Sequence, residues 1–473
     1  MERREFIAST MGMATSLSVL NMVAGCGDEN GMMHRDTRER LMEGQDRASY
    51  EGGPSSAPTT RASGRDAQGG YAVDQEICLN EQMADRLFKS DYFILDFQTH
   101  HTRDGMRGLC LTQQPVTPEC TSPDTYIRQI FEESETTVAV LSGLPASIDE
   151  VTNDLSPFSF TNEDMRNSRD RVNKASKLNP TAGERMLAHC QISPKNKPDA
   201  NARMMETNKR TYDTRGWKCY PPTEGGWFLH ENDAFIQTAI DLGEPLVCAH
   251  KGFPFQGWSR KHADPGPDVA EVAKRYPGVT FVIYHSAFDS AHIEGPYDPN
   301  PNPENGGTDR LAKVVSENGL SNKNVYAEMG SAWAIAMRDP VQAQHYVGKM
   351  LKYVGVDRLV WGSECVWYGC PQNQIEAFKA FRISEEFQEK YGYPEFTDQL
   401  KRKVFGLTGA QLYRVDPAAC RYAVSRSTLA TRRQLLDDRW GARRHAIVNP
   451  PAIRTRRDFL QLWRERVARG EFA

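Results

Sequence analysis

Eight short runs of β-branched and aromatic residues constrain this chain more than any other feature. They are YFILDF (92–97), TTVAVL (136–141), RMLAHC (185–190), GWKCY (216–220), EPLVCAH (244–250), VTFVIYH (279–285), NVYAEM (324–329) and DRLVWGS (357–363). Longer helix-like stretches separate them, such as HENDAFIQTAIDLG and DVAEVAKRYPG. Strand–helix alternation implies parallel strands joined by helical crossovers. Eight such strands predict an α/β fold, a closed (β/α)8 barrel of the TIM type, here spanning 71–415 as one unit.

The two ends read differently. The opening MERREFIASTMGMATSLSVLNMVAGCG pairs Arg3 and Arg4 ahead of Phe6 and Ile7 and ends in Val-Ala-Gly-Cys. This reads as a twin-arginine export signal over 1–26 with a lipoprotein-type box that makes Cys26 the lipid anchor. The alternative is a plain export signal with Cys26 incidental. The apolar stretch is too short and too rich in Ser and Thr to span a bilayer. Residues 27–70, with YEGGPSSAPTTRASGRDAQGG, read as a flexible tether. The expected location is therefore the periplasm or the outer membrane, as a lipoprotein. Residues 416–473 are Arg-rich and helical in pattern and read as an amphipathic extension.

Net charge is −4 and charged residues make up 25% of the chain, without the basic excess of a nucleic-acid partner. A small-molecule substrate fits better. Of the ten cysteines, Cys110 and Cys120 flank a Pro-containing loop and are the expected disulfide in an oxidising destination. Cys190, Cys219 and Cys248 lie inside strand runs and read as buried thiols. No C-x-x-C pair occurs, which argues against a zinc ribbon.

Chemistry concentrates where the strands end, which is where barrels of this kind keep their sites. The first strand delivers Gln98 and His100, the third His189 and Gln191, the fourth Lys218, the fifth His250, the sixth His285, the seventh Glu328 and the eighth Glu364. Four of the chain's 11 histidines stand at these ends. By strand alternation His101 points away from His100 and reads as structural, and Asp96 shares the face of Gln98 and His100 one layer deeper. Trp367, Tyr368 and Trp333 are either an aromatic wall for substrate or core packing.

This set of strand ends resembles the metal-dependent amidohydrolase superfamily. It is most similar to the amidohydrolase-2 group, which includes aminocarboxymuconate-semialdehyde decarboxylase, over roughly 90–415. Where that group ends strand one in D-x-H-x-H, this chain reads Asp96-Phe97-Gln98-Thr99-His100. VCAHKG places His250 as a metal ligand, VIYHSAFD places His285 beside the metal-bound water, and Gly362-Ser363-Glu364 stands for G-[ST]-D. Two departures follow: Gln98 replaces a histidine and Glu364 replaces the catalytic aspartate. The resemblance implies one divalent metal ion, zinc by expectation, on His100, His250 and Glu364, with Gln98 a weak ligand. His285 and Glu364 are the implied catalytic pair. Lys218 is either a carbamylated metal bridge or a charged lysine that binds substrate or pairs with Glu328. Lys218, His189, Glu328 and Trp367 are taken as substrate-binding residues.

Three functions remain open on these residues. The first is an exported hydrolase of an amide, ester or lactone using metal-activated water. The second is a non-oxidative decarboxylase on the same scaffold, for which Arg103 or Arg260 would clamp a carboxylate. The third is a metal-free, lipid-anchored binding protein. Neither the substrate nor the oligomeric state is legible from these residues.

Overall fold

The computed structural model describes residues 92–417 except 107, 113–116, 145–160, 177–183, 194–197, 224 and 256. The export signal with Cys26, the tether and the extension beyond 417 lie outside the described residues. Among the described residues no helix is long and apolar enough to cross a membrane.

All eight expected strands form. They are β1 (Leu95–Thr99), β2 (Val138–Leu141), β3 (Met186–Ala188, resuming after His189 as Cys190–Gln191), β4 (Trp217–Cys219), β5 (Leu246–His250), β6 (Thr280–Tyr284), β7 (Val325–Glu328) and β8 (Leu359–Val360). Every neighbouring pair is parallel, in sequence order. The ring closes between its two ends. Phe97 N donates to Trp361 O at 2.9 Å, Glu364 N to Gln98 O at 2.9 Å and His100 N to Cys365 O at 2.7 Å. A helix follows each strand: Pro123–Ile127 continuing as Arg128–Glu132, Asn162–Ser176, Pro198–Tyr212, Asp233–Asp241, Val269–Arg275, Asp309–Glu317, Pro340–Lys349 and Gln372–Ala380. This is the (β/α)8 barrel.

Strand alternation divides the apolar residues between two cores. Leu187, Cys248, Val282, Tyr284, Tyr326 and Val360 pack together in the barrel lumen with Leu95 and Phe97. The helix Thr408–Tyr413 adds Ala410 and Tyr413 to that lumen core. Residues of the opposite parity, such as Val247, Ala249, Phe281 and Ala327, pack outward under the helices.

One break in this pattern positions the site. The register of β1 against β2 slips between Asp96, opposite Ala139, and Thr99, opposite Leu141. Three steps on β1 match two on β2, so one residue is extra, as in a β-bulge. Ala139 and Leu141 belong to the outer core. Asp96 is therefore on the outward parity, correcting the alternation argument. The slip lets Leu95 and Phe97 fill the lumen while Gln98 and His100 also meet residues of the barrel mouth. Asp96 instead ties β1 to β8, its Oδ1 accepting from Gln98 N at 3.2 Å and Ser363 N at 3.0 Å. Burial pushes its carboxyl up to about 7.

Candidate metal centre

Gln98, His100, His250, His285 and Glu364 come together at the C-terminal ends of the strands, and all five are buried. The backbone there is unusual. His285, Ser286, Ala287, Ser331 and Glu364 all have φ between 51° and 62°, the left-handed region that non-glycine residues seldom enter. Such conformations cost of order 1–3 kcal/mol each and cluster where a site needs a particular side-chain direction. Gly362 leaves room for the Glu328 carboxyl, whose Oε1 would have to shift to admit a Cβ there.

The polar contacts form a continuous chain. His100 Nδ1 lies 3.0 Å from the Ser142 carbonyl, to which it donates, so Nε2 carries the lone pair. That Nε2 accepts from Gln98 Nε2 at 3.1 Å, and the same amide nitrogen donates to Glu364 Oε1 at 3.0 Å. Glu364 Oε2 accepts from Ser331 Oγ, which lies 2.8 Å from Tyr368 OH. The other carboxylate contacts are His100 Nε2 at 3.9 Å and His285 Nδ1 at 3.6 Å. His285 Nδ1 donates to Gly330 O at 2.8 Å, leaving Nε2 as an acceptor 3.1 Å from His250 Nδ1. Trp367 stacks on His100, with ring centroids 5.3 Å apart and planes within 10°.

Burial sets the protonation states. It is the largest cause holding His285 down to about 3 and His100 and His250 well below the usual imidazole range, with Lys218 adding to the effect. All three rings are neutral at pH 7. Burial, with Glu328 nearby, raises the Glu364 carboxyl well above the usual range. Burial also lifts Glu328 to about 8, although its oxygens accept from His285 N at 3.0 Å and Gly330 N at 2.6 Å. Glu328 is thus held by backbone amides and not by an ion pair with Lys218.

The remaining expected residues fall differently. His189 Nδ1 lies 2.9 Å from Ser142 Oγ and Nε2 2.6 Å from Tyr413 OH, so both ring nitrogens are engaged inside the lumen, in place of a substrate contact. His101 lies off the mouth against Tyr126, at 5.1 Å, with Nδ1 2.9 Å from Thr102 O. Arg103 pairs with Asp164 at 2.6 Å, and Arg260 with Asp289 at 3.8 Å. Ser331 and Tyr368 hold Glu364 across 33 residues of sequence and across the barrel mouth, a role that no local pattern announces for Ser331.

Two groups bear on a metal ion. Among the described residues, His292, Glu294 and Asp309 have ligand atoms all within 4.8 Å of one another. There, however, the Lys349 ammonium already sits 2.6 Å from Glu294 and 2.8 Å from Asp309, in the position a cation would take. The mouth residues are not so tightly gathered, but their chemistry fits better. Neutral imidazoles and a carboxylate are zinc donors, and ligand atoms on a tetrahedral zinc ion stand roughly 3.3 Å apart, given bonds of about 2 Å. The contacts at the mouth are pairwise, His250 Nδ1 to His285 Nε2 at 3.1 Å, His285 Nδ1 to Glu364 at 3.6 Å and Glu364 to His100 Nε2 at 3.9 Å, and these side chains do not yet bring one set of ligand atoms within 4.8 Å of one another. Gln98 Oε1 is buried without a hydrogen-bond partner beside them, an oxygen donor to spare.

The sequence model described as Amidohydrolase matches residues 156–415, which takes in His189 to Glu364 but starts after β1 and β2. No curated protein matches the sequence. Solved structures that resemble the chain include 5-carboxyvanillate decarboxylase from Sphingomonas paucimobilis, 12% identical, covering 69% of this chain and 100% of that one at a TM-score of 0.42. Another is 2,6-dihydroxybenzoate decarboxylase from Rhizobium, 12% identical over 68% of this chain and 99% of that one, at 0.43. A third is an amidohydrolase from Burkholderia multivorans with bound zinc, 12% identical over 68% and 100%, at 0.42.

Proposed function

Because the chain belongs to the amidohydrolase family, whose match spans more than half of its 473 residues, we propose that it is a metal-dependent hydrolase of an amide, ester or lactone. The observation that carries this reading is the contact chain His100–Glu364–His285–His250, three neutral imidazoles and one carboxyl at a barrel mouth. His100, His250 and Glu364 would hold one divalent ion, zinc in the first instance, with Gln98 as a weaker neighbour. When bound, such an ion supplies Lewis acidity and a water whose pKa falls to about 7.

The chain's own residues supply the rest. Gly330 O fixes the tautomer of His285, leaving Nε2 as the accepting nitrogen, turned towards His250 Nδ1 at 3.1 Å. Ser331 and Gln98 hold the Glu364 carboxyl in one orientation, from which it can return a proton to a leaving group. Trp367 fixes the plane of His100 by stacking. A second reading is non-oxidative decarboxylation, in which Glu364, held at the mouth by Gln98 and Ser331, protonates the carbon that CO2 leaves.

Elemental analysis of the purified protein, with turnover measured before and after chelation, tests the reading. Lactones, esters, amides and aromatic acids form the substrate panel. Hydrolysis that is lost with the metal and restored by zinc is expected; CO2 release in its place selects the second reading. A native protein with neither metal nor turnover overturns both and leaves a binding protein, and turnover that survives complete chelation overturns the metal dependence of both. Export by the twin-arginine route and lipidation at Cys26 are part of the proposal. The Cys110–Cys120 bridge supports an oxidising destination. Fractionation of cells carrying Cys26→Ser tests the anchor, and a variant that stays in the membrane fraction argues against it.

A further inference from the structure

Trp367 lies flat on His100, but an indole in a turn stays on an imidazole only if something fixes that turn. The contacts that fix it come from the loop after β1. Leu111 N donates to Trp367 O at 3.0 Å. Gly108 comes so close to the indole that a Cβ there would stand 3.0 Å from Cζ3, and Met106 and Leu109 pack in the same apolar cluster as Trp367. The loop is in turn tied to the strand that carries His100. Thr102, two residues beyond His100, donates from N to Thr121 O at 2.8 Å, and its Oγ1 lies 2.9 Å from Thr121 Oγ1. Thr121 Oγ1 also accepts from Gly108 N at 3.2 Å.

The Cys110–Cys120 bridge closes these contacts into a ring. Cys120 adjoins Thr121, which is bound to Thr102 and so to the exit of β1. Cys110 adjoins Leu111, which is bound to Trp367, and the indole returns to His100 with ring centroids 5.3 Å apart. Both cysteines are buried. A covalent link across ten positions removes most of the loop's freedom, and what leans on the loop is held with it. Making that link is a two-electron oxidation. In exchange with a small disulfide such as oxidised glutathione, one cysteine thiolate attacks a donor sulfur and expels a thiolate, and the second cysteine then displaces the other half to form the Cys110–Cys120 bond. The chain gives up two protons and two electrons, and the donor leaves as two thiols.

We infer that the Cys110–Cys120 bridge is a positioning device for His100, acting through Trp367, so that the oxidised chain holds this imidazole, and a metal ion on it, more firmly than the reduced chain. The metal part of this rests on the mouth being the metal centre.

The test reads His100 directly. In the full chain, the Nδ1 proton that His100 gives to Ser142 O at 3.0 Å is followed by NMR and assigned by its loss in His100→Gln. Zinc affinity is measured by chelator competition. Wild type with the bridge formed is set beside Cys110→Ser with Cys120→Ser, Trp367→Leu, and the triple variant. Loss of the bridge should speed exchange of that proton with water and weaken zinc binding about tenfold, the lower end of the effect of a group that orients a metal ligand. Trp367→Leu should do the same. The triple variant should be no worse than Trp367→Leu, since a bridge that acts through the indole then has nothing to act on. Gly108→Ala keeps the bridge and crowds the indole, so it should speed the same exchange even where the bridge-free chain does not fold. Wild-type exchange in the bridge-free chain overturns the inference, as does wild-type exchange in Gly108→Ala where the bridge-free chain fails to fold. Losses from the bridge and from Trp367 that multiply independently also overturn it, since they assign the bridge a purely structural task. Wild type that takes up no zinc strikes the metal reading instead, while the His100 proton still decides this inference, so the two failures are separable.

Discussion

Lys349→Met isolates the acidic group that, among the described residues, competes with the mouth as a metal site. Lys349 is fully buried, 2.6 Å from Glu294 and 2.8 Å from Asp309. Glu294 keeps two other donors, Thr308 N at 2.9 Å and Thr308 Oγ1 at 2.6 Å, but Asp309 depends more heavily on the lysine. Methionine fills much of the same volume and removes the charge, leaving two buried carboxyl groups with no ammonium. Breaking a buried ion pair from one side costs about 3–5 kcal/mol. That is a large share of the roughly 5–15 kcal/mol that stabilises a domain. The measurement is urea unfolding in a His250→Ala background, so that the barrel mouth contributes little metal binding. If the lysine stands in for a cation, zinc at a hundredfold excess over its Kd should return about 2.7 kcal/mol to the variant. It should return almost nothing to the parent. A loss below about 1 kcal/mol, or equal zinc stabilisation of the parent, would refute the view that Lys349 replaces a metal at His292, Glu294 and Asp309.

Three further expectations follow from the mouth. His250→Ala should abolish bound metal and activity while His101→Ala leaves metal content intact, as elemental analysis will read; equal losses would mean that His101 also faces the metal. The double variant Gln98→His with Glu364→Asp should bind zinc about ten- to a hundredfold more tightly in chelator competition, an added ligand being worth roughly 1–3 kcal/mol; unchanged affinity would separate Gln98 and Glu364 from the metal. Glu328, raised to about 8 when folded, holds its proton more tightly in the native than in the unfolded chain, so it stabilises at low pH and that contribution fades as pH rises towards 8. Between about pH 5.5 and 7 it should cost roughly 1.4 kcal/mol per unit, tapering as pH nears 8, and Glu328→Gln should flatten that slope in pH-dependent unfolding; an unaltered slope assigns the titration elsewhere.

The barrel was legible because its evidence is local. Runs such as VTFVIYH and EPLVCAH carry their strands in composition alone, and the polar residues that end them mark the mouth. The bridge Cys110–Cys120 was legible for the same reason, its ends only ten positions apart. What was not legible depends on contacts that cross the ring. The slip in β1 reverses the parity of Asp96, and a two-residue period contains no sign of it. His189 is engaged by Tyr413, 224 residues away, on a helix that packs into the lumen. Lys218 and Glu328 look like partners by charge, but Glu328 is claimed by two backbone amides that only the turn after β6 and the turn after β7 bring near.

The hydrogen bonds that close the ring have a kinetic consequence. Gln98 and His100 use their main chains to join β1 to the segment after β8, and Glu364 makes one of those joints itself. The residues are 266 positions apart, so the joint is among the last a folding chain can afford, since the entropy of drawing distant segments together is spent before any contact repays it. A nascent barrel with seven strands in place has His250 and His285 but neither Gln98 nor Glu364 set against them. Assembly of the mouth and completion of the fold are therefore one event, and a ligand gripped by both β1 and β8 can be gripped only by a finished molecule.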